Sequence, residues 1–250
     1  MNDFMFRMPT KVMFGVGALR KVPGLCREQG YSRIFVVTGS TSTSKSPQLQ
    51  ELLAELADLS IATQVFSEVE ADPSIETVDR GAAALGAFGA DAVIAFGGGS
   101  PMDAAKSMSL VSANGGSIAD YMRAKKAFVQ RGVPLICVPT TAGTGSEVTA
   151  SAVTTDKATK EKIGIGHDFQ MPAYAVIDPL VQVSMPPAVT AATGMDALTH
   201  AIESYVALKA NPISDGMALT AIRLIAENLR QACANGENLE ARSNMALASL

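Results

Sequence analysis

Tryptophan is absent from this 250-residue chain, aromatic residues make up 5% of it, and it holds only two histidines, His167 and His200. The shortage of large rings, set against abundant alanine and 21 glycines, favours tightly packed helices on a parallel sheet over an all-β sandwich. Cys26, Cys137 and Cys233 are odd in number and widely spaced, unlike a disulfide framework or a CxxC metal knuckle. They point to a reducing compartment. No apolar run reaches the roughly eighteen residues that a membrane-spanning helix needs. Asn2, Asp3, Arg7 and Lys11 break up the N-terminus, so it holds no secretory apolar core. The expectation is a soluble, cytoplasmic protein. An excess of basic charge is missing too: 20 basic against 24 acidic residues leave −4, with no basic run beyond Arg123, Lys125 and Lys126. Neither nucleic acid nor an anionic membrane is expected as a partner. No GxSxG elbow and no GxxxxGKS/T phosphate loop occurs, which argues against a serine hydrolase and an ATPase.

What is present is alternation. The opening FMFRMPTKVMFG reads as a short strand or hairpin at a sheet edge, broken by Pro9. A helical pattern through Leu19, Val22, Leu25 and Cys26 follows, then a strand at 33–38. Next come a helix through Leu49, Leu52, Leu53 and Leu56, a strand at 61–66, a helix at about 74–88 and a strand at 92–96. Such order is the signature of right-handed crossovers onto a parallel sheet. The fold class is α/β.

The chain is arranged around DAVIAFGGGSPMDAAK, residues 91–106. An apolar strand runs into Gly97, Gly98 and Gly99, and then into a helix with Ala104, Ala105 and Met108 inward and Pro101 in its first turn. Glycines let the backbone approach a ligand closely, and the free N–H groups of a helix start attract phosphate. The alternative is a purely structural turn. A further strand at 133–138 leads into PTTAGTGSEVT, residues 139–149, a second loop of small residues. Two such loops leaving strands at one sheet edge would face one crevice, where open α/β sheets bind ligands.

From about Pro186 the texture changes to long helical patterns, at 188–208, 214–234 and from 239 onward. Residues 1–182 therefore read as an α/β domain and 183–250 as the start of an all-helical one. Within ATGMDALTHAIESY, Asp196 and His200 are four apart and share one helical face, with Cβ atoms about 6 Å apart. A carboxylate and an imidazole so spaced can hold one divalent metal, or can simply hydrogen-bond at a surface. Two ligands are fewer than the three of a typical catalytic zinc site. His167 sits in a loop-like GIGHDFQMP and reads as a solvated residue; Glu147 and Glu203 are carboxylates without an evident partner.

GGGSPMDAAK, PTTAGTGSEVT and ATGMDALTHAIESY, in this order and spacing, resemble the iron-containing (group III) alcohol dehydrogenases, a family that includes lactaldehyde reductases and 1,3-propanediol dehydrogenases. The resemblance implies an N-terminal Rossmann-like domain that binds NAD or NADP, and a helical domain that holds Fe²⁺ or Zn²⁺. An alcohol or aldehyde would sit in the cleft between them. Carried over, Gly98, Gly99 and Ser100 meet the pyrophosphate, with Asp103 close behind; Thr140, Thr141 and Thr144 line the cofactor, and Lys162 contacts it. Asp196 and His200 match two of the metal ligands. A dimer or larger homo-oligomer is implied, with the N-terminal edge strand as a contact.

Two departures qualify the resemblance. Many NAD-using relatives carry an aspartate after the second strand, where it bonds the ribose and repels a 2′-phosphate. Here that position is Gly39, followed by Ser40, Thr41 and Ser42, with Lys45 nearby, so NADP is expected to be accepted. The family also supplies two further histidine ligands downstream, whereas no histidine follows His200. The chain therefore reads as a piece of a longer enzyme. The alternatives are an inactive nucleotide-binding module of the same fold, or an enzyme like glycerol dehydrogenase or dehydroquinate synthase.

Overall fold

A computed structural model describes residues 3–39 and 42–250. At its centre lies a parallel sheet in the order β1-β8-β5-β4-β2-β3. Its strands are β1 (Lys11–Phe14), β2 (Arg33–Gly39), β3 (Ala62–Val69), β4 (Ala92–Gly97), β5 (Leu135–Pro139) and β8 (Tyr174–Ile177). The crossovers carry α1 (Val22–Glu28), α2 (Pro47–Asp58), α3 (Ile75–Phe88), α4 (Gly99–Asn114) and the short α5 (Ile118–Met122). An antiparallel hairpin, β6 (Ser151–Asp156) and β7 (Glu161–Gly166), stands apart from the sheet.

Alternate residues of each strand point to opposite faces, so every central strand feeds two cores. Phe35, Val37, Val93 and Ala95 pack with Val78, Leu85, Met102 and Met108 of α3 and α4. Ile34, Val36, Ile94 and Phe96 pack with Val22, Cys26, Leu49, Leu52 and Leu56 of α1 and α2. Side-chain caps open the helices: Ser46 accepts from the Leu49 N–H and Ser74 from the Thr77 N–H. This is the parallel sheet expected from the alternation, with the doubly wound, Rossmann-like arrangement that the resemblance implies.

The edge strand is not a hairpin. β1 lies parallel to β8, 163 residues further along in register (Lys11 opposite Tyr174). β3 extends to Val69, β5 begins at Leu135 rather than 133, and β7 takes in part of the stretch that reads as loop.

Beyond β8 the chain is helical: α6 (Pro187–Val206), α7 (Pro212–Ala234) and α8 (Leu239–Ala248). A Cβ on Gly194 would lie 2.3 Å from Leu229 Cδ1, so α6 and α7 touch backbone to side chain there. Arg242 of α8 is buried; it donates to the Gly236 carbonyl, the Thr190 hydroxyl and the Met185 carbonyl, at 2.9, 2.8 and 3.0 Å. No helix of the described residues is long and apolar enough to cross a membrane.

Candidate dinucleotide crevice and metal-ligand pair

The chain runs from β2 outward to β3, then returns to the other side of β2 for β4 and continues to β5. Strand order thus reverses between β2 and β4, and ligands of open α/β sheets bind at such a point, beyond the carboxyl ends of the strands. Gly39 closes β2 there. A Cβ on it would meet only Val69 O at 3.8 Å and Pro101 Cγ at 3.9 Å, so the end of β2 lies beside the first turn of α4. Ser40 lies outside the described residues.

β4 delivers Gly97, Gly98 and Gly99 to the N-terminus of α4, whose first-turn N–H groups have no partner within the helix. The Ser100 hydroxyl accepts from the Asp72 N–H at 3.1 Å. β5 delivers the second bend beside the first. The Thr140 N–H donates to the Gly97 carbonyl at 2.9 Å. A Cβ on Gly98 would lie 3.2 Å from Thr141 Oγ1, and one on Gly99 would lie 2.9 Å from Thr144 Cγ2. The two bends interlock, and a side chain on Gly99 would push Thr144 aside. Lys162, on β7, is tied in through Asp72, with an ion pair of 2.6 Å. Asp103 has both carboxylate oxygens engaged within the protein: Oδ1 accepts from the Ser146 hydroxyl at 2.6 Å and Oδ2 from the Val153 N–H at 2.9 Å.

The second bend also meets the helical half. A Cβ on Gly143 would lie 2.7 Å from Thr193 O, and one on Gly145 would lie 2.9 Å from Ser249 O. Between bend and helices opens a cavity of about 580 Å³, lined by Thr144 and Thr149 on one side and by His200, Ala201 and Met217 on the other. Asp196 stands one turn before His200, with Oδ1 3.8 Å from Nε2 and both side chains about half exposed. Two ligands at about 2.1 Å from a tetrahedral cation are roughly 3.4 Å apart, so this oxygen and nitrogen are close to the span a divalent metal requires. Among the described residues no group of three or more His, Cys, Asp or Glu is placed to hold a metal. The pair fits part of a metal site.

Two residues of the neighbourhood, Lys106 and Ser146, escape sequence reasoning, and Glu147, read as a carboxylate without an evident partner, joins them. Lys106 is fully buried behind the second bend. Ser146 bonds both Lys106 and Asp103. Glu147 is buried as well, and burial pushes its carboxyl up to about 7, against its own backbone N–H and the Lys106 charge. The only signal for Lys106 is its place directly after inward-facing Ala104 and Ala105. His167, expected in a solvated loop, is half-buried between Phe128 and Phe169, and Nδ1 accepts from the Phe169 N–H at 3.1 Å.

Residues 9–179 match the family described as iron-containing alcohol dehydrogenase, and residues 190–250 the Fe-containing alcohol dehydrogenase family, C-terminal. The chain belongs to the iron-containing alcohol dehydrogenase family. Its relatives in that family include the NAD-dependent methanol dehydrogenase of Bacillus methanolicus, 40% identical over 97% of this chain and 63% of that one. The 1,3-propanediol dehydrogenase of Klebsiella pneumoniae is 39% identical over 99% of this chain and 64% of its own. Among solved structures, the sulfoacetaldehyde reductase from Bifidobacterium kashiwanohense in complex with NAD⁺ superposes with a TM-score of 0.94 at 34% identity. It covers 100% of this chain and 65% of that one. The chain spans about six-tenths of the length of the relatives it matches.

Proposed function

We propose that this chain supplies the cofactor-binding half, and the first part of the metal-binding half, of an oxidoreductase that moves a hydride between NAD(P) and a small alcohol or aldehyde. Residues 1–182 form the dinucleotide-binding domain of this reading and 183–250 the beginning of the helical one. A single observation carries it: two glycine- and threonine-rich bends interlock at the strand-order reversal, and the same second bend forms the wall opposite His200.

The residues divide the work. Gly98 and Gly99 let the second bend close against the start of α4, whose first-turn N–H groups meet the pyrophosphate. Ser100 and Lys162 add a hydroxyl and a cation to that anion site. Thr140, Thr141 and Thr144 flank the cofactor as it runs toward the cavity. Asp103 acts behind the bend rather than on the phosphates, since its oxygens are already engaged. Asp196 and His200 hold Fe²⁺ or Zn²⁺, whose mixed oxygen and nitrogen ligands suit either metal. When bound, the metal supplies Lewis acidity at the substrate oxygen, and the dinucleotide supplies or accepts the hydride. The cavity lining beside His200 is largely apolar, Ala201, Met217, Ala221 and Leu224 among it. Gly39 itself brings no carboxylate to repel a 2′-phosphate, so NADP is a substrate as well as NAD in this reading. A homodimer contact is assigned to the free edge of β1.

Fluorescence titration with NADPH and NADH, followed by alcohol oxidation assays with added Fe²⁺ or Zn²⁺, tests the proposal. Saturable binding with metal-dependent turnover is expected. Binding without such turnover would favour the second reading, an inactive nucleotide-binding module, which rests on no group of three or more donors being placed to hold a metal among the described residues. No binding of either dinucleotide refutes both.

A further inference from the structure

Lys106 is the most deeply buried charge near the crevice, with no exposed surface. Its ammonium has three protons. They meet three acceptors, two in the last part of the second bend and one just beyond it: Ser146 Oγ at 2.8 Å, Thr149 Oγ1 at 3.2 Å and the Ser151 carbonyl at 2.9 Å. Asp103 Oδ1 stands 3.9 Å away as counter-charge and itself accepts from Ser146 at 2.6 Å. Packing alone does not call for a charge here, since an apolar side chain of the same length avoids the desolvation cost. What the ammonium adds is direction. Three bonds fix one segment, 146–151, against α4, the helix whose N-terminus forms the first bend.

That segment faces both parts of the site. The Thr144 hydroxyl accepts from the Ser146 N–H at 3.2 Å, and Thr144 abuts Gly99. Thr149 lines the cavity that holds His200. We propose that Lys106 is a positioning residue: its ammonium pins the loop 140–151 to α4, and so sets both the dinucleotide crevice and the near wall of the His200 cavity. Burial draws the ammonium's pKa down, and the Asp103 carboxylate opposes that shift. The consequence for cofactor affinity rests on the dinucleotide reading above; the pinning itself does not.

The test uses the 250-residue chain with Lys106→Met, which keeps the length and removes the charge, and Lys106→Ala. Amide hydrogen exchange is read over 140–151 without ligand, and NADPH affinity by fluorescence. Lys106→Met is expected to speed exchange in 140–151 at least tenfold, leave the amides of β2 and β3 as they were, and weaken NADPH binding about tenfold. Added propylammonium should restore slow exchange in Lys106→Ala, and 1-propanol should not. Unchanged exchange in Lys106→Met overturns the proposal, as does equal rescue by propanol, which would mean that only volume matters. Faster exchange with NADPH affinity unaltered also overturns it. A wild-type chain that binds no NADPH refutes the dinucleotide reading, and the exchange and rescue results then decide the pinning alone. Should both Lys106 variants fail to fold, Thr149→Val removes one acceptor: faster exchange confined to 140–151 supports the pin, and none overturns it.

Discussion

Gly99 and Thr144 leave different strands, 45 positions apart in sequence, yet a Cβ on the glycine would lie only 2.9 Å from the threonine Cγ2. A contact that short forces one bend away from the other. Gly99→Ala is expected to weaken NADPH binding about tenfold, or ~1.4 kcal/mol. Thr144→Ser removes the methyl and leaves the hydroxyl, so the double variant should recover most of that loss. Fluorescence titration of the four proteins closes the cycle, and simple additivity of the two losses would show that the join is not what matters.

Gly39 offers the opposite case. The space around its missing Cβ is ordinary van der Waals distance, to Val69 O and Pro101 Cγ, so the first carbon of a side chain fits there without displacing either. Gly39→Asp should therefore melt within a degree or two of the parent. A carboxylate there repels a 2′-phosphate and bonds a 2′-hydroxyl. Affinity for NADPH is expected to fall at least tenfold while that for NADH holds or improves, measured by paired titrations.

How far these residues could be read in advance depends on how local their causes are. β2, β4 and β5 are continuous apolar runs, and their burial on both faces follows directly. β8 has only four residues, YAVI, and β1 pairs with it across most of the domain, so nothing near either sequence announces the partner. The β6–β7 hairpin is polar and largely exposed on β7, which blurs any alternation. In the site, glycine and threonine content marks both bends, whereas their interlock is a product of topology. Lys106 is invisible for the same reason. Its acceptors lie 40 to 45 residues away, and within its own helix it is one more charged residue.

Lys162 and Asp72 form an ion pair of 2.6 Å with both side chains more than half exposed. Exposed pairs contribute about 0–1 kcal/mol, so Lys162→Ala should change thermal stability little. The Asp72 N–H bonds Ser100 at the first bend, which puts the lysine's charge beside the proposed pyrophosphate site. NADPH affinity is expected to fall several-fold in the same variant, with a shallower dependence on salt.

Glu147 gives the chain a pH signature. Its carboxyl is pushed from 4.5 up to about 7 by burial. Between those values the folded chain keeps a proton that the unfolded chain has released. The associated stability is therefore full below about pH 4.5 and is lost as pH rises through about 7. Glu147→Gln removes that slope. Thermal melts from pH 5 to 8 should show the variant gaining on the parent as pH rises; a constant difference would mean that Glu147 does not titrate in this range. Asp103, whose carboxyl burial also raises, stands in both proteins and cancels.

Asp196 and His200 present an oxygen and a nitrogen 3.8 Å apart on successive turns of α6. If they act together on one cation, removing either should cost about as much as removing both, because a lone exposed carboxylate or imidazole holds a divalent ion weakly. Asp196→Ala and His200→Ala are each expected to lower Zn²⁺ affinity at least tenfold, and the double variant little further. Competition against a chromophoric chelator measures all four proteins. Independent, additive losses would instead mean two unrelated surface ligands. Since His200 also lines the cavity beside Thr144, Zn²⁺ bound by the pair should change the NADPH affinity of the parent and leave that of His200→Ala alone.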